Sequence, residues 1–297
     1  MTLIFAVTSP KYALIVADAR LSAGEKIVDD DSTKVGVLDC QDATALYAYT
    51  GLASIPGRFT ARCWIQETFL ACAPPDYSFP QILERFVVAA NAKFSSLGFR
   101  RISARQRRLS IVLTGFQYDG VPIAGLISNF ESFSGTVEPH AREFRSYALS
   151  ATNPDQGAVI AVHGNFDALK IDQTQSLMKL VTDGRPPQAV RDKCEALIHD
   201  LAGDPKSSGT IGRTILGGTL TLNARGRPLA EAYYSSDVPR SHRRMLAHVS
   251  AQRHQSMAIS DIVLNFLGAP TPGKQPRNSK CACGSGLKYK SCCLRRS

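Results

Sequence analysis

The chain of 297 residues carries a formal charge of +10, with 44% hydrophobic and 20% charged residues. That is ample apolar material for one large domain with an appendage or two modest domains, and it excludes a chain too polar to build a core. No apolar run reaches the roughly 18 to 20 residues of a membrane helix, and the first residues lack the basic start and cleavage site of a signal peptide. A cytoplasmic protein with no membrane segment is the expectation.

In chain order, 3–7 and 12–17 are short apolar strands joined by the turn signal Ser9-Pro10-Lys11, and 34–38 and 45–50 form a second strand pair. Apolar residues near helical spacing predict a helix over 53–73, stopped by Pro74-Pro75, and another over 80–97. Strands return at 109–116, 122–128, 144–149 and 158–162, with Tyr118-Asp119-Gly120 marking a hairpin between the first two. Helices follow over 166–181 and 187–202, then strands over 214–222 and 229–234. Residues 243–266 read as partly helical, and 269–278, with three prolines and a glycine, as a linker. Strands, two helices, strands, two helices and strands suit two central sheets between helix layers, and they depart from the alternation of a doubly wound sheet.

The charge is unevenly placed. Of the 35 Lys and Arg residues, eleven follow Pro239, against the single acid Asp261, so the rest of the chain is formally neutral. A basic tail suits an acidic protein, a ribosome or another nucleic acid, or plain solvation, and it lacks the interleaved aromatics of base stacking. Cys40, Cys63, Cys72 and Cys194 are scattered singly through apolar segments, as in a reducing compartment. Cys281, Cys283, Cys292 and Cys293 instead fall within thirteen residues, around a basic, glycine-containing centre. Four thiolates satisfy tetrahedral zinc, and so short and polar a segment needs such a metal to fold. This Cys281-Ala282-Cys283-Gly284-Ser285-Gly286-Leu287-Lys288-Tyr289-Lys290-Ser291-Cys292-Cys293 segment resembles the SEC-C motif, the zinc-binding tail of the preprotein translocase ATPase. The resemblance implies a structural Zn(2+) and a docking role toward a protein partner.

At the other end, removal of Met1 would expose Thr2, joining a hydroxyl nucleophile to an α-amine whose ordinary pKa of about 7.7 to 8.0 lets it act as a base. Asp18 follows Thr2 by sixteen residues, in Val16-Ala17-Asp18-Ala19-Arg20, and Lys34 follows Asp18 by sixteen, in Ser32-Thr33-Lys34-Val35. With these intervals the opening resembles the proteasome-type branch of the N-terminal-nucleophile (Ntn) hydrolases. Tyr49-Thr50-Gly51-Leu52-Ala53 is similar to that family's strand-to-helix turn, and Asp204-Pro205-Lys206-Ser207 to its D-x-x-S element. His163-Gly164-Asn165 stands where the family usually has a serine-glycine turn, so a histidine either enters the proton relay or marks a site out of catalytic use.

The resemblance implies an α+β fold, a four-layer αββα sandwich, over 1–236, followed by a basic helical extension and linker over 237–278 and the zinc motif over 279–297. It implies a threonine-dependent peptidase. Thr2 is its nucleophile, Lys34 stabilises the alkoxide and holds the amine pKa low, and Asp18 orients Lys34. Asp204 and Ser207 would hold the amine, and the N–H of Gly51 would meet the oxyanion, a contact worth about 3 to 4 kcal/mol. Family members often form rings, so a homo-oligomer is expected too. The competing readings are a non-catalytic scaffold that binds partners through its zinc tail, and a module anchored to a ribosome or nucleic acid.

Overall fold

A computed structural model describes residues 2–23, 26–30, 32–73, 77–132, 136–150, 158–207, 209–224, 226–235, 245–250 and 255–260, with the single residues Asn278 and Lys288. The chain opens with β1 (Leu3–Thr8), β2 (Tyr12–Asp18), β3 (Leu21–Ala23), β4 (Lys26–Asp29), β5 (Val35–Asp39) and β6 (Ala43–Gly51). The short β7 (Ser54–Ile55) and β8 (Phe59–Thr60) lead into α1 (Ala61–Cys72), α2 (Phe79–Phe94) and α3 (Leu97–Arg100). Next come β9 (Leu109–Gln117), β10 (Pro122–Ser128), β11 (Arg145–Ser150) and β12 (Val159–Gly164). Helices α4 (Ile171–Thr182) and α5 (Pro187–Ala202) precede β13 (Ile215–Leu222), β14 (Pro228–Ser235), β15 (Met245–Ser250) and β16 (Gln255–Ser260).

Two sheets organise these elements. One has the order β12-β1-β2-β13-β14 and the other β11-β10-β9-β6-β5-β15-β16. All pairings in both are antiparallel except β15 against β5. Side chains alternate across each strand and sort into three apolar clusters. Ile4, Ile15, Val37, Leu46, Val112 and Leu216 meet between the sheets. Leu3, Phe5, Leu14 and Val16 point the other way, against Leu177 of α4 and Leu197 and Ile198 of α5. On the second sheet Tyr47, Tyr49, Ile111 and Leu113 pack against Phe69 of α1 and Phe86 of α2. Every residue of β1 and β2 is therefore buried, which is why both read as unbroken apolar runs rather than alternating ones.

The strands and the helix pairs fall close to their sequence expectations, and α5 begins and ends where the pattern places it. Two expectations need correction. The helix expected over 53–73 starts only at Ala61. Pro56 lacks an N–H, and Arg58 N donates to Ile55 O at 3.0 Å, closing a turn that folds β7 back on β8. Within the extension over 237–278, expected to be partly helical and then a linker, the described 245–250 and 255–260 form β15 and β16, and the linker over 269–278 lies outside the described residues apart from Asn278. The edge of β5 offers unpaired backbone groups, and 247–250 pair with 36–39 along it. Among the described residues, no helix is long and apolar enough to cross a membrane. Cys40, Cys63, Cys72 and Cys194 are free thiols, all buried.

Candidate active site

Thr2 enters β1 with its side chain toward the space between the sheets, in step with Ile4 and Ala6. Asp18 ends the neighbouring strand β2, fully buried. Its carboxylate accepts hydrogen bonds from Leu3 N at 2.7 Å, Arg20 N at 2.9 Å and Gly212 N at 3.1 Å. Lys34, immediately before β5, is 2% exposed. Its ammonium donates to Thr2 Oγ1 and to the carbonyl of Arg20, and stands 3.9 Å from Asp18 Oδ1. The three residues at successive sixteen-residue intervals thus converge, because β1, β2 and the start of β5 end at the same edge of the intersheet space.

Burial sets the electrostatics. Removal from water pushes the Lys34 ammonium down from its ordinary 10.5 to about 8, against the attraction of Asp18. Burial also raises the Asp18 carboxyl, opposed by Lys34 and by the three backbone N–H groups. An ammonium with so low a pKa sits close to its own deprotonation near neutrality, beside a hydroxyl whose proton it could help to displace. Arg20 braces the rim, donating from Nε to Asp30 Oδ1 at 2.5 Å and from Nη1 to Gly209 O at 2.7 Å.

Gly51 closes β6 with φ +102°, and a Cβ there would come within 2.2 Å of the Arg108 carbonyl oxygen. Its neighbour Thr50 donates from Oγ1 to Thr2 O at 3.2 Å, so the Gly51 turn borders Thr2. Among the described residues, neither Asp204 nor Ser207 has a side-chain hydrogen bond to Thr2. Asp204 Oδ1 accepts from Lys206 N at 2.8 Å, and Ser207 Oγ donates to Asp204 O at 2.8 Å, which keeps their side chains within their own turn. Asn165 bridges instead, with its N–H on Thr2 O at 3.1 Å and its amide on Ser207 O and Thr210 Oγ1 at 3.2 and 2.7 Å.

One residue near the site carries no signal in the sequence. Glu131, beyond β10, accepts from Gly164 N at 3.0 Å and pairs with His163 Nδ1 at 2.9 Å. Both side chains are buried. Glu131 lies 32 residues from His163 and looks like any isolated acid in a loop; the pairing of β1 with β12 sets its partners His163 and Gly164 next to the start of β1. Gly164 is the closest approach of all. A Cβ there would sit 1.7 Å from Thr2 O, and its φ is +93°. Cys281, Cys283, Cys292 and Cys293 lie outside the described residues, among which no cluster of metal-ligating side chains occurs.

Among family models the SEC-C motif matches residues 277–295. No curated protein matches the chain. Among solved structures the chain is similar to Anbu (ancestral beta-subunit) from Yersinia bercovieri, at 12% identity and a TM-score of 0.50. It is similar also to a helical assembly of the Anbu complex from Pseudomonas aeruginosa, at 12% identity and a TM-score of 0.51. Each likeness covers 80% of this chain and 88% of the other. At that identity the likeness shows the fold alone, and the fold is proteasome-like.

The depressed Lys34 pKa has a measurable consequence. Between about 8 and 10.5 the unfolded chain holds the Lys34 proton and the folded chain has released it, so stability from this group rises with pH through that window. Relative to an Asp18→Asn/Lys34→Met double variant, the wild-type unfolding free energy should climb from pH 8 to 10.5. Equal slopes for the two proteins would contradict a buried, depressed Lys34.

Proposed function

We propose that the protein is a threonine-dependent amide hydrolase acting on peptides, with Thr2 as its N-terminal nucleophile once Met1 is removed. The observation that carries this reading is the Lys34 ammonium on Thr2 Oγ1, itself within reach of the buried Asp18 carboxylate. A surface ion pair would need no such burial, and charges buried at a desolvation cost that pairing only partly offsets cluster at functional sites.

In this mechanism the freed α-amine takes the Oγ1 proton, and Oγ1 attacks the peptide carbonyl. Lys34 stabilises the alkoxide, Asp18 keeps Lys34 in place, and the N–H of Gly51 meets the oxyanion. The proton passes to the departing amine, and water then releases the acyl group from the Thr2 ester. We assign Asp204 and Ser207 to the wall of the site, holding Asn165 through the 204–210 turn, rather than to direct contact with the amine. The two sheets and their flanking helices read as a four-layer αββα sandwich over 1–236. Self-association is part of the proposal, in keeping with the helical assembly of the Pseudomonas aeruginosa protein.

The tail is proposed to hold one structural Zn(2+). Cys281, Cys283, Cys292 and Cys293 fit that metal by donor chemistry: four thiolates fill a tetrahedron and leave no open place for catalysis. Its role would be to dock a protein partner or substrate and raise its concentration near Thr2, with the surrounding basic residues favouring an acidic surface. A cytoplasmic setting suits the free thiols.

Hydrolysis of a fluorogenic peptide mixture tests the chemistry. Thr2→Ala should lower the rate by about a thousandfold or more, whereas Thr2→Ser should retain measurable turnover. Equal rates in wild type and Thr2→Ala would remove the assignment and favour the non-catalytic scaffold. For the tail, metal analysis of the full chain should give one zinc per molecule, lost in Cys281→Ser/Cys283→Ser. Zinc retained by that double variant would place the metal elsewhere.

A further inference from the structure

The Glu131–His163 pair is not used by the mechanism above, yet it is built as a functional imidazole is built. Glu131 spends one carboxylate oxygen on His163 Nδ1 and the other on Gly164 N, so both the ring and the strand end are fixed. A carboxylate at Nδ1 selects the tautomer with its proton there and leaves Nε2 as an acceptor in the neutral ring. His163 is 5% exposed, and among the described residues Nε2 has no hydrogen-bond partner. A buried acceptor left unmatched destabilises the fold. Phe or Leu would fill the volume without that cost.

Strand register says where Nε2 can find a partner. His163 lies opposite Ile4, and Ile4 faces the intersheet core. Cross-strand partners share a face, so His163 and Thr2 are diagonal neighbours on that face, a separation that long or aromatic side chains span. The Thr2 carbonyl points toward β12, because it accepts from Asn165 N. In an extended residue the N–H and C=O project to the same edge, so a Thr2 that continues the course of β1 turns its nitrogen to the β12 side as well. The Leu3 N–H goes to Asp18 on the opposite side, as this alternation requires. Asp204 and Ser207, to which the family resemblance gives the amine, keep their side-chain bonds within their own turn.

We propose that His163, oriented by Glu131, positions the Thr2 α-amine by accepting one of its N–H groups at Nε2. The inference rests on the reading that Thr2 acquires a free amine. With one N–H donated to His163, the amine lone pair is held toward Oγ1. The Oγ1 proton then moves to the amine nitrogen and later to the leaving amine, while His163 neither gains nor loses a proton. It is a positioning residue. The charged groups around it are Glu131, Arg108, which couples electrostatically to Glu131, and the Lys34–Asp18 pair beside Thr2. Glu131→Gln is the sharp variant. A glutamine offers one carbonyl and one amide NH₂ to two donors, so the ring can answer by moving its proton to Nε2, which turns an acceptor into a donor facing the amine.

The test compares two full-length proteins by imidazole ¹⁵N NMR across pH: one released from a cleavable fusion so that Thr2 is the first residue, the other retaining Met1. His163 is identified by the signal missing in His163→Gln. Freeing the amine should shift the Nε2 resonance, and Glu131→Gln should abolish that difference. Glu131→Gln should also slow peptide hydrolysis by about tenfold. Identical His163 Nε2 resonances in the two proteins overturn the proposal. So does a difference that survives Glu131→Gln, because a through-space charge effect would do the same. If the Nε2 shift appears but no variant hydrolyses peptide, the hydrolase reading falls and the positioning contact stands. If Thr2-dependent hydrolysis occurs without the shift, the reverse holds.

Discussion

The carboxylate of Asp18 is the point on which the amino-terminal half of the fold is gathered. One buried group accepts backbone N–H bonds from Leu3, Arg20 and Gly212, residues from three separate stretches of chain, and faces the Lys34 ammonium. Three directed N–H donors let a charged group persist in an apolar surround. They also make it costly to remove, since each donor would be stranded. Thr2 is adjacent to Leu3, so the same carboxylate that completes the ends of β1 and β2 fixes the register of the proposed nucleophile.

The rest of the site follows from strands ending together. Thr2 touches Lys34 through its hydroxyl and β12 through its carbonyl, while Thr50 reaches the same carbonyl from the other sheet. Gly164 is glycine because nothing larger fits over that carbonyl. An intersheet core of Ile4, Ile15, Val37 and Leu46 is packed between the two sheets, so the polar cluster sits at the ends of packed strands. Preorganisation of this kind is what an electrostatic mechanism needs, because the charges are in place before any substrate arrives.

Much of this was legible in the sequence, and the reason is local. β1, β2, β6, β9 and α5 are long apolar or periodic segments, and their order alone indicates paired sheets with helix pairs between. The Thr2–Asp18–Lys34 triplet was legible from its spacing combined with family resemblance. Neither β15 nor β16 was, because whether 245–260 coils or extends is decided by the free edge of β5, more than two hundred residues earlier. Glu131 was invisible for the same reason: its importance exists only through the register that sets β12 beside β1. Ser207 and Asp204 form a recognisable motif whose side-chain hydrogen bonds lie within their own loop.

The central claim is that Lys34 and Asp18 are buried in order to make the Thr2 hydroxyl a nucleophile. It is tested most directly by treating the purified protein with a hydroxyl-directed β-lactone and locating the adduct by mass spectrometry of the peptides. The account predicts a single acyl adduct, on Thr2 of chains that have lost Met1, and its loss when Lys34 is replaced by alanine in a protein that still folds. An unmodified Thr2, or an adduct that forms equally well without Lys34, would contradict it.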